Sequence, residues 1–145
     1  MGQTVLAFQQ KPRILVVEDS LLLADMVCDV LVEAGMEPVG PVPRVEIALR
    51  MARDVALDGA IIDIKVGSDD TFPICRVLKE RGVPFVFFSG LKRGALPAEF
   101  REVPLVTKAI EGEALRDVVL ALLTDAKPST TPGALENSSH LRYRG

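Results

Sequence analysis

The sequence predicts an α/β fold: a parallel five-stranded sheet with helices on both faces. Three observations carry that expectation. Short apolar runs rich in Val and Ile alternate with stretches whose apolar residues recur at helical spacing. The runs are continuous, as strands are when both faces of a sheet are covered. Hydrophobic residues make up 48% of the chain but aromatic residues only 5%, with no Trp, which suits a core of Val, Ile and Leu rather than an aromatic platform.

Taken in order, Arg13 to Val17 (Arg-Ile-Leu-Val-Val) is the first strand. Glu18-Asp19-Ser20 ends it, and Ser20 can cap the helix that follows, from about Leu21 to Ala34. Leu22, Met26, Val30 and Leu23, Val27, Leu31 set its period, and Gly35 stops it. Glu37 to Val42 is the second strand, edge-proximal and irregular because of Gly40 and Pro41. A helix from about Arg44 to Arg53 follows. Gly59 to Ile64 is the third strand, followed by a polar loop, Lys65 to Asp70. Phe72 to Arg81 is helical and Gly82 closes it. Pro84 to Phe88 is the fourth strand, ending at Ser89-Gly90. Leu91 to Glu102 holds at most a short helix, near Ala98 to Arg101, because of Gly94 and Pro97. Leu105 to Thr107 is a short fifth strand ending at Lys108, and the last helix runs from about Glu111 to Thr124.

Strands alternating with helices require right-handed crossovers between parallel neighbours. A flavodoxin-like order, 2-1-3-4-5, sets the first and third strands side by side at the switch point. Glu18, Asp19 and Asp63 then share one crevice. Residues 13–124 form the domain. Residues 1–12 read as a loose arm. Residues 125–145 read as a disordered tail, in part a cloning remnant, so His140 and Tyr143 carry no weight.

Composition narrows the function classes. A chain of 145 residues suits one domain with a proper core. Net charge is −3, which does not suit an electrostatic nucleic-acid binder. No apolar run approaches the ~20 residues of a membrane span, and Met1 to Gln10 does not read as a signal peptide. The expectation is a cytoplasmic protein without nucleic-acid or membrane partners. Cys28 and Cys75 read as small side chains packed in helices. Two distant cysteines and one His do not make a zinc site.

The chemistry sits at the strand ends. Glu18 and Asp19, then Asp63, then Ser89, then Lys108 each follow a predicted strand. Three carboxylates in one crevice repel one another, and a bound divalent ion resolves this. Oxygen ligands select a hard ion, here Mg²⁺. Asp63 can also act as a nucleophile on phosphorus, forming an aspartyl phosphate. Phosphoryl transfer needs charge neutralisation and in-line positioning, which Mg²⁺, the Lys108 ammonium and the Ser89 hydroxyl can supply.

In this order and at these places, the residues resemble the receiver (CheY-like) domains of two-component response regulators, from about Arg13 to Leu123. Pro84-Phe85-Val86-Phe87-Phe88-Ser89-Gly90 is similar to a branch of stand-alone receivers common in alphaproteobacteria. The resemblance implies that Asp63 accepts a phosphoryl group from a phosphohistidine and that Ser89 is the switch hydroxyl. It implies Mg²⁺ held by Glu18, Asp19, Asp63 and the backbone carbonyl of Lys65. The implied donor is a sensor histidine kinase, of the HWE type in this branch, or a histidine phosphotransfer protein. Such a protein catalyses only its own phosphorylation and dephosphorylation. With no output domain following, it is expected to work by contact with a downstream protein, as shuttle, sink or regulator, changing the face built by the weak helix, the fifth strand and the last helix. An exposed apolar surface on the last helix would favour a homodimer.

Departures from the family pattern are informative. Ala109 replaces the proline that usually follows the lysine, and a cis non-proline bond costs about 2.5–4 kcal/mol, so the Lys108–Ala109 bond is expected to be trans or strained. Leu105 stands where many receivers carry an aromatic, so aromatic switching is expected to be weak or absent. The Lys65 ammonium can reach Glu18, Asp19 or the phosphoryl group, where it would weaken metal affinity, or it is a solvated loop lysine. Lys92 and Arg93 can meet an acidic partner but read more simply as solvated charges. Two further readings stand beside this one. A degenerate receiver would bind a partner without being phosphorylated. A haloacid-dehalogenase-like phosphatase would need an acid at position 65, where Lys65 stands.

Overall fold

The computed structural model describes residues 10–90, 96–108 and 112–126. The main sheet holds β1 (Arg13–Val17), β2 (Glu37–Val42), β3 (Gly59–Ile62), β4 (Phe85–Ser89) and β5 (Leu105–Thr107). All neighbours are parallel, and the order is β2-β1-β3-β4-β5. Among the described residues four helices accompany it: α1 (Leu21–Glu33), α2 (Val45–Asp54), α3 (Phe72–Arg81) and α4 (Gly112–Ala126). The doubly wound order expected from the sequence is the one observed.

Two cores lie on opposite faces of the sheet. Leu15, Val17, Ala60, Ile62, Phe85 and Phe87 face one, against Ala48 and Ala52 of α2 and Ile74 and Leu78 of α3. Ile14, Val16, Ile61, Val86, Phe88 and Val106 face the other, against Val27 and Leu31 of α1 and Leu115 and Val119 of α4. Successive strand residues point to opposite faces, so burial on both sides requires an unbroken apolar run. Each Val, Leu, Ile or Phe side chain among them, fully buried, contributes about 1.5–3 kcal/mol.

Element ends follow local chemistry. Ser20 caps α1, its hydroxyl accepting the Leu23 N–H at 3.3 Å. Gly82 ends α3 in the left-handed region, at φ 73°, where a Cβ would be strained. The irregular second strand is at the sheet edge, with a register shift against β1 and a cis Gly40–Pro41 bond.

Several expectations need correction. The third strand was expected through Ile64 but ends at Ile62. Beyond it, the Asp63 N–H still donates to the Val17 carbonyl at 3.0 Å, while the chain turns away from β4. The expected polar loop is a small antiparallel hairpin, pairing Lys65 with Asp70 and Val66 with Asp69. Gly67, at φ 64°, lies between its arms. The expected short helix near Ala98 is a single 3-10 turn, Ala98–Phe100. The last helix continues through Ala126. Most of the arm and the tail, Lys92 and Arg93, and the bond into Ala109 lie outside the described residues. Among the described residues, no helix is long and apolar enough to cross a membrane.

Candidate phosphoryl-transfer site

The site is at the carboxyl ends of β1, β3, β4 and β5, the edge at which open α/β sheets bind ligands. Pairing β1 with both β2 and β3 puts Glu18 and Asp63 on adjacent chains, because Val17 and Ile62 are in register. Glu18, Asp19 and Asp63 each bring one carboxylate oxygen within 4.8 Å of the others. Glu18 and Asp63 are buried, at 3% and 6% exposure, while Asp19 is exposed.

Each acid is held differently. The Ser20 N–H donates to Glu18 Oε2 at 3.1 Å. The Gly67 N–H donates to Asp19 Oδ2 at 2.8 Å, tying the hairpin turn to the acid pair. Lys108 Nζ donates to Asp63 Oδ2 at 2.7 Å and to Glu18 Oε2 at 3.2 Å. Its own backbone is anchored by the Lys108 N–H donating to the Ser89 carbonyl at 3.2 Å, one step past the Ser89–Thr107 pair. Ser89 itself is buried at the end of β4.

The electrostatics follow from these contacts. Burial pushes the Glu18 carboxyl above its ordinary range and the Asp63 charge adds to this, while the Ser20 amide and Lys108 pull the other way. For Lys108, burial acts to lower the ammonium's pKa, but the hydrogen bond and charge of Asp63, followed by those of Glu18, outweigh it and hold it above the ordinary lysine range. Lys108 is therefore protonated, the form in which it can neutralise phosphoryl oxygens.

A hard divalent cation fits this donor set. All three converging ligand atoms are carboxylate oxygens, the type Mg²⁺ takes. Glu18 Oε1 is buried and has no hydrogen-bond partner, a costly state for a charged oxygen unless a cation meets it. Lys108 supplies one positive charge to the cluster, which leaves the three acids in excess.

Of the sequence-predicted residues, Glu18, Asp19, Asp63 and Lys108 meet at one place, and Ser89 ends the neighbouring strand. Lys65 lies exposed on the hairpin, and among the described residues the ion pairs to Glu18 and Asp63 come from Lys108. Among the described residues no ion pair joins Lys65 to Glu18 or Asp19, and its backbone pairs with that of Asp70 in the hairpin. Leu105 is half-buried against the core on the α2 and α3 face of the sheet. The outward positions of α4 are Glu113, Asp117, Ala121 and Thr124, whereas Leu21, Leu22 and Val32, all on α1, are the exposed large apolar residues among those described. Thr71 was missed. Its hydroxyl, fully buried, lies 2.6 Å from the Asp63 carbonyl and 3.1 Å from that of Ile64. A threonine directly before Phe72-Pro73 signals a helix N-cap, but nothing in the sequence points that hydroxyl back to Asp63.

The chain is similar to several solved structures. The chain is 33% identical to SdrG from Sphingomonas melonis Fr1 in its solution structure, with a TM-score of 0.69 over 78% of this chain and 97% of that one. It is 34% identical to the BeF3-activated conformation of SdrG from Pseudomonas melonis Fr1, with a TM-score of 0.65 over 77% and 95%. A CheY-like response regulator receiver domain from Methanospirillum hungatei JF-1 shares the fold, with a TM-score of 0.72 at 17% identity over 83% and 99%. No family model matches the chain, and no curated protein matches it.

Proposed function

The chain belongs to the CheY-like receiver domains of two-component response regulators, and on that premise we propose that Asp63 accepts a phosphoryl group from a phosphohistidine on a partner protein. The observation that carries this reading is the convergence of Glu18, Asp19 and Asp63 with Lys108 bridging Asp63 and Glu18. Glu18, Asp19, Asp63 and the Lys65 backbone carbonyl would hold Mg²⁺. Bound there, the ion supplies neutralisation of the phosphoryl charge.

In the reaction an Asp63 carboxylate oxygen attacks phosphorus. The new O–P bond forms as the N–P bond to the donor imidazole breaks, and the leaving nitrogen takes up a proton. Lys108 exchanges part of its carboxylate pairing for a phosphoryl oxygen, and Ser89 donates its hydroxyl to another. Most of the work is positioning and electrostatics. The donor is a sensor histidine kinase, of the HWE type, or a histidine phosphotransfer protein, and the output is contact with a downstream protein in the cytoplasm.

Intact mass after incubation with phosphoramidate tests the reading. One Mg²⁺-dependent phosphoryl adduct is expected on the wild type and none on Asp63→Asn. A folded wild type that takes up no phosphoryl group would favour a phosphorylation-independent binding module.

A further inference from the structure

Asp63 sits where its strand stops. On its amide side it is still pinned, through its N–H to the Val17 carbonyl at 3.0 Å. On its carbonyl side the ladder ends, since β3 pairs with both β1 and β4 only as far as Ile62. The carbonyls of Asp63 and Ile64 therefore have no strand partner, and buried carbonyls need one. Thr71 supplies it. Its hydroxyl faces both carbonyls, at 2.6 Å and 3.1 Å, and its N–H donates to the Ile64 carbonyl at 2.9 Å.

A second observation is independent of those distances. Thr71 occupies the N-cap of α3, where a threonine hydroxyl ordinarily accepts an N–H of the first turn. Here it makes no such bond, and Asp70 Oδ1 accepts the Phe72 N–H instead, at 3.2 Å. The hydroxyl is directed at the Asp63 backbone, and at 0% exposure no bulk water can replace it. The Thr71 carbonyl meanwhile accepts the N–H groups of Ile74 and Cys75, at 3.0 Å and 3.2 Å, so α3 hangs directly from the segment that carries Asp63.

We propose that Thr71 is a positioning residue for phosphoryl acceptance. By gripping the Asp63 and Ile64 carbonyls it fixes the main chain between Asp63 and Lys65, and with it the direction from which the Asp63 carboxylate meets phosphorus. The inference rests on the reading of Asp63 as the acceptor. In-line transfer is sensitive to small displacements, and an error near 1 Å can cost about 10²-fold.

The test is the phosphorylation rate with phosphoramidate at saturating Mg²⁺, followed by intact mass, on wild type, Thr71→Val, Thr71→Ser and Asp63→Asn, each shown folded by circular dichroism. Thr71→Val keeps the shape and removes the hydroxyl, and a rate about tenfold below wild type is expected. Thr71→Ser keeps the hydroxyl and removes a methyl, and is expected within about threefold of wild type. A purely packing role predicts the opposite order, since Ser loses packing and Val does not. A wild-type rate in folded Thr71→Val, or Thr71→Ser as slow as Thr71→Val, would overturn the proposal. If Thr71→Val does not fold, Thr71→Ala takes its place with the same expected loss. Failure of both to fold would also overturn it, the hydroxyl then being a requirement of the fold. Absence of any adduct on wild type would overturn the acceptor reading itself, a result distinct from a slow Thr71→Val beside a competent wild type.

Discussion

Glu18 bears the cost of the site. Its carboxylate is almost fully buried, and one oxygen is paired with Ser20 and Lys108 while the other has no partner. Leaving a buried acceptor unpaired costs about 1–3 kcal/mol, and Asp63 adds repulsion. The sign of the pH dependence follows. Because folding raises the carboxyl's pKa, the folded state takes up a proton at higher pH than the unfolded chain. The contribution of Glu18 to stability is therefore most favourable below the ordinary glutamate range and is lost as pH rises through the folded value. At neutral pH and without divalent ions, Glu18→Gln is expected to raise Tm by a few degrees, since an amide removes the charge and can donate to the neighbouring carboxylates. The gain should shrink as the pH is lowered, and Mg²⁺ affinity should fall at least about tenfold. Thermal melts with and without Mg²⁺ check this; a lower Tm for Glu18→Gln in the absence of metal would contradict it. At this scale Glu18, Asp19, Asp63, Ser89 and Lys108 were legible because each follows an apolar run. Thr71 was not, because its role depends on where the hairpin returns the chain.

The hairpin and the 3-10 turn show where elements escape a sequence reading. Lys65–Val66 and Asp69–Asp70 carry no strand pattern, and acids are depleted in strands. Their pairing is imposed from outside, by Asp19 accepting the Gly67 N–H and by Thr71 closing the far end. The turn at Ala98–Phe100 is too short to form alone. It is held by Phe100, fully buried and stacked on Phe72 at 5.4 Å, edge-on to Phe85 and Phe87, with the Arg76 and Lys79 charges over its ring. The sequence contains only six Phe, and the low aromatic share hid that four of them meet in one cluster around α3 and β4. Phe100→Ala is expected to cost about 3–5 kcal/mol, read by urea unfolding. A loss under about 1 kcal/mol would mean that the turn is held by the Arg76–Glu99 pair at 2.8 Å, an exposed pair of the kind usually worth about 0–1 kcal/mol.

For the whole molecule, the doubly wound order converts sequence-distant residues into one site. Asp63 and Lys108 are brought within 2.7 Å because β3, β4 and β5 are parallel neighbours whose carboxyl ends align. That much was legible, since continuous apolar strands separated by helices leave few topologies, and only one of them makes the strand-end chemistry coherent. The position of Lys65 was not, because it depends on a hairpin with no local signal. The central claim is that Asp63 takes the phosphoryl group. It is tested most directly by phosphorylating the wild type with phosphoramidate and Mg²⁺, reducing the acyl phosphate with borohydride, and locating the product by peptide mass. The expected result is homoserine at position 63 and at no other aspartate. Homoserine at Asp19, Asp69 or Asp70 instead, or none in a protein that carries the phosphoryl adduct, would contradict it.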